Sequence, residues 1–225
     1  KCKSLHEHNE KEVSSQIIKI LINSDINIAL VTDAGTPTVS DPGYHLTQQC
    51  IDNNIKYTLI PGPSSVINAL VLSGLPTSSF SFLGFVPRKK SAKIRFFQSL
   101  KKEKNTIILF ESAKRIENTL ICIEDEYSRN KKISLCREMT KLYENIERGT
   151  AVSLLKKINE GELILKGEFV IVIEPFSLED SDLIFDNKIY KSFLDNMPAK
   201  EAAKIISTIT KENKRDIYKK LLEVK

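Results

Sequence analysis

Between residues 13 and 22, apolar side chains stand at Val13, Ile17, Ile18, Ile20, Leu21 and Ile22. That spacing predicts an amphipathic helix ending near Asn23. The run "NIALVTD" that follows is short, apolar and bounded by turn residues, and reads as a buried strand. The alternation continues. Residues 43–51 read as a helix, and "KYTLIPGP" as a strand stopped by Pro61, Gly62 and Pro63. Residues 64–73 read as a helix capped by Ser64 and ended at Gly74. "FSFLGFVP" is a further extended run.

The pattern restarts beyond Val86, Pro87 and Arg88. Helices are predicted over 91–102, 113–127 and 151–159, and strands at "TIILFES", "KISLCRE" and "GEFVIVIEP". Strands alternating with helices predict α/β layers and mostly parallel sheets. The boundaries define an N-terminal α/β domain (1–86), a C-terminal α/β domain (87–176), and an acidic linker with a helical tail (177–225). In the tail, Ala202, Ala203, Ile206 and Ile209 form one stripe. Ile217, Leu221 and Leu222 form another, with residues 212–214 as the turn. This is either a helical hairpin that packs on the body or a nucleic-acid-binding appendage, since eight Lys/Arg face five Asp/Glu from Asp195 onward.

Composition narrows the function classes. The 225 residues are 41% hydrophobic and 28% charged with a net charge of +5. A chain of this length buries roughly 70% of its unfolded surface and needs no disulfide or metal to fold. No run approaches the ~18–20 apolar residues of a membrane span, and no signal-peptide pattern is visible. Cys2, Cys50, Cys122 and Cys136 lie far apart without a CxxC pair, and read as small core residues in a reducing cytosol. His6 and His8 form an HxH pair, but no nearby set of acids and cysteines completes a metal site. No GxGxxG, GxxxxGK[ST] or GxSxG is present, so a dinucleotide-binding Rossmann domain, a P-loop NTPase and an α/β-hydrolase elbow are poorly supported.

Two turns stand out. "VTDAGTPTVSDPGY" follows a predicted strand, where open α/β sheets bind ligands. Ala34 and Gly35 leave the backbone open to a flat ligand, Thr36 offers a hydroxyl, and Pro37 stiffens the turn. "IPGPSSVINAL" ends the next predicted strand in the same way, with Ser64 and Ser65 where the helix begins and its free N–H groups favour polar or anionic atoms. The plainer reading of each is a structural strand-to-helix turn.

"VTDAGTPTVSDPGYHL", "IPGPSSVINALVLSGLP", "GFVPRK", "LFESAKR", "REMTK" and "KGEFVIVIE" occur in the order seen in the tetrapyrrole-methylase-like (class III) methyltransferases. Within these the chain resembles the branch acting on small-subunit ribosomal RNA, from about Leu5 to Leu222. The resemblance implies S-adenosylmethionine as methyl donor, with no metal. It implies transfer to the 2′-hydroxyl of a cytidine near the decoding centre of 16S ribosomal RNA. It also implies two α/β domains with the donor in the cleft between them, a homodimer, a cytoplasmic location and the small ribosomal subunit as partner. By motif, the donor-binding residues are Ala34, Gly35, Thr36, Val39, Ser64, Ser65, Glu111, Met139, Gly167 and Glu168. The branch begins with a strand, a Pro-Ile-Gly-Asn-type loop, a helix and an acidic segment that are not found here. With Lys1 in place of an initiating Met, the sequence reads as a fragment whose N-terminal domain is partial.

A ribose hydroxyl is a weak nucleophile and benefits from a nearby base; Asp33, Asp41, Glu111 and Glu138 are the candidates. Asp33 and Asp41 also suit turn capping, and Glu138 a surface pair with Arg137 or Lys141. Arg137 and Lys141 are placed to hold a phosphate or a developing oxyanion. The stretch "RKKSAKIRFFQSLKKEK" carries eight Lys/Arg and one Glu. It reads either as a solvated helix face or as an RNA-facing patch that includes Arg88, Lys89, Lys90 and Lys93. Two other functions remain open on the sequence: a class III methylase acting on a tetrapyrrole or a protein side chain, and a non-catalytic ribosome-binding module.

Overall fold

The structure is a computed structural model that describes residues 2–33, 35–176, 187–210 and 213–224. Its contacts divide the chain into two compact units, one of Lys1–Gln98 with Asn105–Pro175 and one of Ser99–Lys104 with Phe176–Lys225.

The larger unit opens with helix α1 (Glu10–Asn23), whose Val13, Ile17 and Ile18 pack on Leu46 and Cys50 of α2 (Tyr44–Asp52). Glu10 joins them by chemistry as well as by packing. Its Oε1 accepts the Gly43 N–H at 2.8 Å and the His45 N–H at 2.9 Å. Gly43 is the N-cap of α2 and has no side chain to offer, so a residue of another helix satisfies the free N–H groups there. Helix α3 (Ser65–Ser73) ends at Gly74 with φ of 75°, the left-handed closure glycine permits.

The sheet of this unit contains β1 (Phe80–Phe85), β2 (Thr106–Ser112), β3 (Ile133–Arg137), β4 (Asn145–Gly149) and β5 (Glu168–Ile173), in the order β1-β2-β5-β3-β4. Between the strands run α4 (Lys90–Leu100), a short 3-10 turn leading into α5 (Ile116–Glu126), and α6 (Ala151–Asn159), the last opened by a Thr150–Ser153 capping box. Among the described strands only β1 and β2 pair in parallel; β2–β5, β5–β3 and β3–β4 are antiparallel. This corrects the expected mostly parallel sheet, and the reason is adjacency. Each strand–helix–strand connection does join strands of one direction, since β2 and β3 both oppose β5, and β4 and β5 both oppose β3. The two sets interleave, with β5 inserted between β2 and β3, so neighbours run in opposite directions.

The sheet is buried on both faces at its centre. Ile108, Cys136, Val170 and Val172 face α3, while Leu109, Leu135 and Ile171 on the other face are no more than 1% exposed. Strands predicted at 27–33 and 56–61 do not form. Val31 is 80% and Ile60 86% exposed, and neither segment enters a ladder. Apolar character alone predicts a strand, but a strand exists only with a hydrogen-bonding partner. Strand β4 was not predicted because "NIERG" carries no apolar alternation.

In the second unit, α7 (Asn187–Asn196), α8 (Ala199–Thr210) and α9 (Lys214–Val224) bury Tyr190, Ala202, Ala203, Ile206, Ile217 and Leu221 together. The two helices predicted in the tail are α8 and α9, and α7 is a further described helix ahead of them. Ile209 and Leu222, assigned to the buried stripes, are 45% and 50% exposed. Most of the acidic linker lies outside the described residues. No described helix is long and apolar enough to cross a membrane.

Candidate functional site

The first small-residue turn is a chain of left-handed corners: Gly35 (φ 78°), Thr38 (74°), Ser40 (61°) and Gly43 (133°). Gly43 is required by space as well as angle, because a Cβ there would stand 2.6 Å from Leu30 Cδ2. Gly35 differs. A Cβ there would meet nothing within 4 Å, so its backbone faces open space. Thr32 Oγ1 donates to the Gly35 carbonyl at 3.3 Å, which holds the open end of the turn. Thr36 is half-buried, Val39 and Asp33 are exposed, and Ala34 lies outside the described residues. Ser40 Oγ comes against Gly84 of β1, bringing the turn to the sheet.

Asp41, half-buried, has its carboxyl raised above the ordinary value by burial first, then by the Glu168 and Asp33 carboxylates. Asp41 therefore lies within electrostatic reach of Asp33, in the same turn, and of Glu168, from a distant part of the sequence.

The second turn leads into α3. Ser64 precedes the helix in extended conformation without capping it by its side chain, and Ser64 and Ser65 are both half-buried. Immediately behind them Val66, Ala69 and Leu70 pack in one cluster with Met139, which is 4% exposed. Phe82 and Phe110 border this cluster. The Phe110 ring meets Phe82 edge-on at 4.8 Å and Phe85 at 5.4 Å, and Phe85 is 58% exposed. Sequence reasoning passed over these aromatics because "FSFLGF" and "TIILF" read as ordinary core strands. The available signal was Gly84, a mid-strand glycine with φ of 69° where something approaches the backbone.

Glu111 stands apart from this group. It neighbours Phe110 on β2 and so points to the opposite face of the sheet. There it is 1% exposed and fully engaged. Oε1 pairs with Arg115 Nη2 at 2.6 Å and accepts the Ser112 N–H, while Oε2 accepts Thr119 Oγ1–H at 2.8 Å. Lys93 completes the network by donating to Thr119 Oγ1 at 2.9 Å. Expected on an exposed RNA-facing patch, Lys93 is instead 6% exposed, and burial lowers its ammonium pKa despite the nearby Glu111 charge. Arg88, Lys89 and Lys90 are exposed.

Beyond β3 the Glu138 N–H donates to the Glu168 carbonyl at 2.9 Å, and Glu138 Oε1 accepts the Glu168 N–H at 2.9 Å. Lys141, expected as a phosphate contact, is occupied: its Nζ reaches Glu168 Oε2 at 2.8 Å and Glu138 Oε1 at 3.3 Å. Arg137 donates Nε to the Lys166 carbonyl at 2.7 Å, tethering the loop that leads through Gly167 into β5.

A surface cavity of about 440 Å³ between α5 and α6, lined by Ile121, Val152 and Leu155 among others, contains none of these residues. Among the described residues no group of three His, Cys, Asp or Glu could hold a metal ion.

A mixed sheet with small-residue turns gathered against an aromatic wall is an enzyme-like arrangement, and solved structures share the fold. The chain aligns with diphthine synthase at a TM-score of 0.55 (16% identity, 76% of this chain and 68% of that one). It aligns with the methyltransferase CobJ at 0.53 (12% identity, 74% and 71%). Residues 1–155 match the model of the Tetrapyrrole (Corrin/Porphyrin) Methylases, and the chain belongs to that family of methyltransferases. Its relatives make the class narrower. The chain is 36% identical over 222 residues to Ribosomal RNA small subunit methyltransferase I of Vibrio cholerae (98% of this chain, 77% of that protein). It is 34% identical over 221 residues to the protein of that name from Escherichia coli O157:H7 (98% and 77%). It is 38% identical over 228 residues to that of Buchnera aphidicola subsp. Schizaphis graminum (99% and 79%).

Proposed function

We propose that this methyltransferase moves a methyl group from S-adenosylmethionine to the 2′-hydroxyl of a cytidine in 16S ribosomal RNA. The observation that carries the reading is near-full-length similarity to proteins named for small-subunit ribosomal RNA methylation, coinciding with a site built from the motifs of that resemblance. The fit to the donor is supported by Gly35, whose backbone faces open space, and by the Ser64–Ser65 turn beside the buried Met139 and the Phe82–Phe85–Phe110 wall. Thr36 and Val39 belong to the same turn as Gly35, and Asp41 of that turn feels the charge of Glu168, which follows Gly167. Glu111, facing the other side of the sheet, supports the fold of β2 and α5 in this reading. We also infer that residues 1–86 and 87–176 act as the two α/β halves of the enzyme, that residues 177–225 are an appendage, and that two copies assemble as a homodimer on the small subunit.

When bound, the donor supplies a methyl group activated by its sulfonium, so alignment rather than a metal carries the chemistry. The chain's own work is to orient both reactants and to receive a proton. Of the four carboxylates considered, Asp41 is the best base. Glu111 is saturated with hydrogen bonds, and Glu138 is held below the usual carboxylate range by the Glu168 N–H and, to a lesser degree, by Lys141. Asp33 is exposed to water. Asp41 is raised, which brings it nearer to the working pH of a general base.

Titration of S-adenosylmethionine into the protein, followed by incubation with undermethylated small subunits and nuclease mapping of 2′-O-methyl cytidine, tests this. Donor binding with methyl transfer to one cytidine is expected. Absence of binding heat sinks the enzymatic reading, while transfer to a tetrapyrrole or a protein in preference to RNA sinks the substrate.

A further inference from the structure

After Arg137 the β3–β5 ladder ends, and the chain passes through two left-handed residues, Glu138 (φ 48°) and Thr140 (φ 67°), on either side of Met139. Residues with a Cβ hold such angles only where their surroundings impose them. Here two side chains do so: Glu144 Oε2 accepts the Thr140 N–H at 2.7 Å, and the Glu138 carboxylate holds the start of the turn. Glu138 Oε1 accepts the Glu168 N–H at 2.9 Å and the Lys141 ammonium at 3.3 Å, and Lys141 closes the turn by donating its N–H to the Glu138 carbonyl at 3.0 Å. Space for the carboxylate exists because residue 167 is glycine. With φ of 83°, a Cβ there would run into the carboxylate, 2.5 Å from its Cδ. Met139, between the two left-handed residues, is buried against Val66, Ala69 and Leu70 of the helix that begins at Ser65.

We propose that Glu138 is a positioning residue for donor binding. Through one carboxylate oxygen it locks the strained turn onto Gly167 and Glu168, so that Met139 closes the wall beside the Ser64–Ser65 turn. The inference rests on the reading that Met139 and that turn meet the donor. Glu138 acts through Met139 and touches no reacting atom. Gly167, Glu168 and Lys141 then belong to the clamp, and their motif signatures "REMTK" and "KGEF" are two halves of one device.

Isothermal titration of S-adenosylmethionine into the full chain separates the possibilities, with a thermal melt of each variant alongside. E138A removes the acceptor and is expected to raise the donor Kd about tenfold. E138Q keeps an oxygen for the same two donors and should stay within about twofold of the wild type. M139A should weaken binding as E138A does. E138D, one methylene short, and G167A, which displaces the carboxylate while keeping it, should weaken binding in the same sense and serve if E138A does not fold. A folded E138A that binds donor like the wild type overturns the inference, as does an E138Q as weak as E138A. A wild type that takes up no donor overturns the donor reading and the inference with it. Normal binding by both M139A and E138A overturns the inference while leaving the donor reading intact.

Discussion

At the scale of single residues, Asp41 carries the clearest prediction. Its carboxyl is raised from 3.8 by burial and by two neighbouring carboxylates, so the folded protein favours the protonated form more than the unfolded chain does. The stability this contributes is complete below the unfolded value and is lost as pH rises through the folded one. D41N, which keeps a neutral side chain at every pH, should therefore melt above the wild type at pH 7 and together with it near pH 3. Activity should move the other way. With Asp41 as base, the acid limb of kcat/KM lies above the ordinary carboxylate value, and D41N lowers kcat by about 10²–10⁴-fold. A variant both more stable and much less active is the signature of a strained functional group. A variant of normal activity returns Asp41 to the role of turn former.

Between elements, the informative contact is Glu10. One oxygen satisfies two N–H groups at the start of α2, and the residue is only 9% exposed. E10A leaves both donors without that acceptor and should cost roughly 1–2 kcal/mol in urea unfolding, whereas E10Q, keeping an amide oxygen, should cost clearly less. Nothing local in the sequence announces this cap, because donor and acceptor lie 33 and 35 positions apart. The same limit governs the rest of the fold. Helices α1 to α6 and strands β1, β2, β3 and β5 were legible because each has a periodic apolar face or a continuous apolar run. Their boundaries follow from local residues such as Gly74 and Thr150. The interleaving of β5 between β2 and β3 was not legible, since crossovers specify direction and not neighbour. At the site, the order of motifs pointed to both small-residue turns and to Met139. It did not show that Glu111 faces away, that Lys93 is buried under Thr119, or that Lys141 is spent on two glutamates. Those are facts of side-chain direction, and alternation along β2 and α4 fixes them only once the partners are known.

For the molecule as a whole, the question is which of its positive charges meet RNA. The excess of +5 is modest, and an even spread would give weak, unspecific attraction. Burial removes Lys93 from the available charge and ion pairing occupies Lys141 and Lys157, whereas Arg88, Lys89 and Lys90 are exposed as consecutive residues where β1 gives way to α4. Each phosphate contact releases a counterion, so log K falls with log salt by about 0.7–0.9 per contact. Replacing Arg88, Lys89 and Lys90 together by Ala should lower the magnitude of that slope for small-subunit binding by about 2–3 and leave S-adenosylmethionine affinity unchanged. K93M should do neither, because a lysine bonded to Thr119 inside the protein makes no phosphate contact in the first place. Filter binding across a salt series decides the matter. An unchanged slope in the triple variant would move the RNA-binding face elsewhere, with the basic residues of α8 and α9 next to be tested. A K93M variant that binds subunits as poorly as the triple one would mean that Lys93 leaves its buried network when RNA arrives.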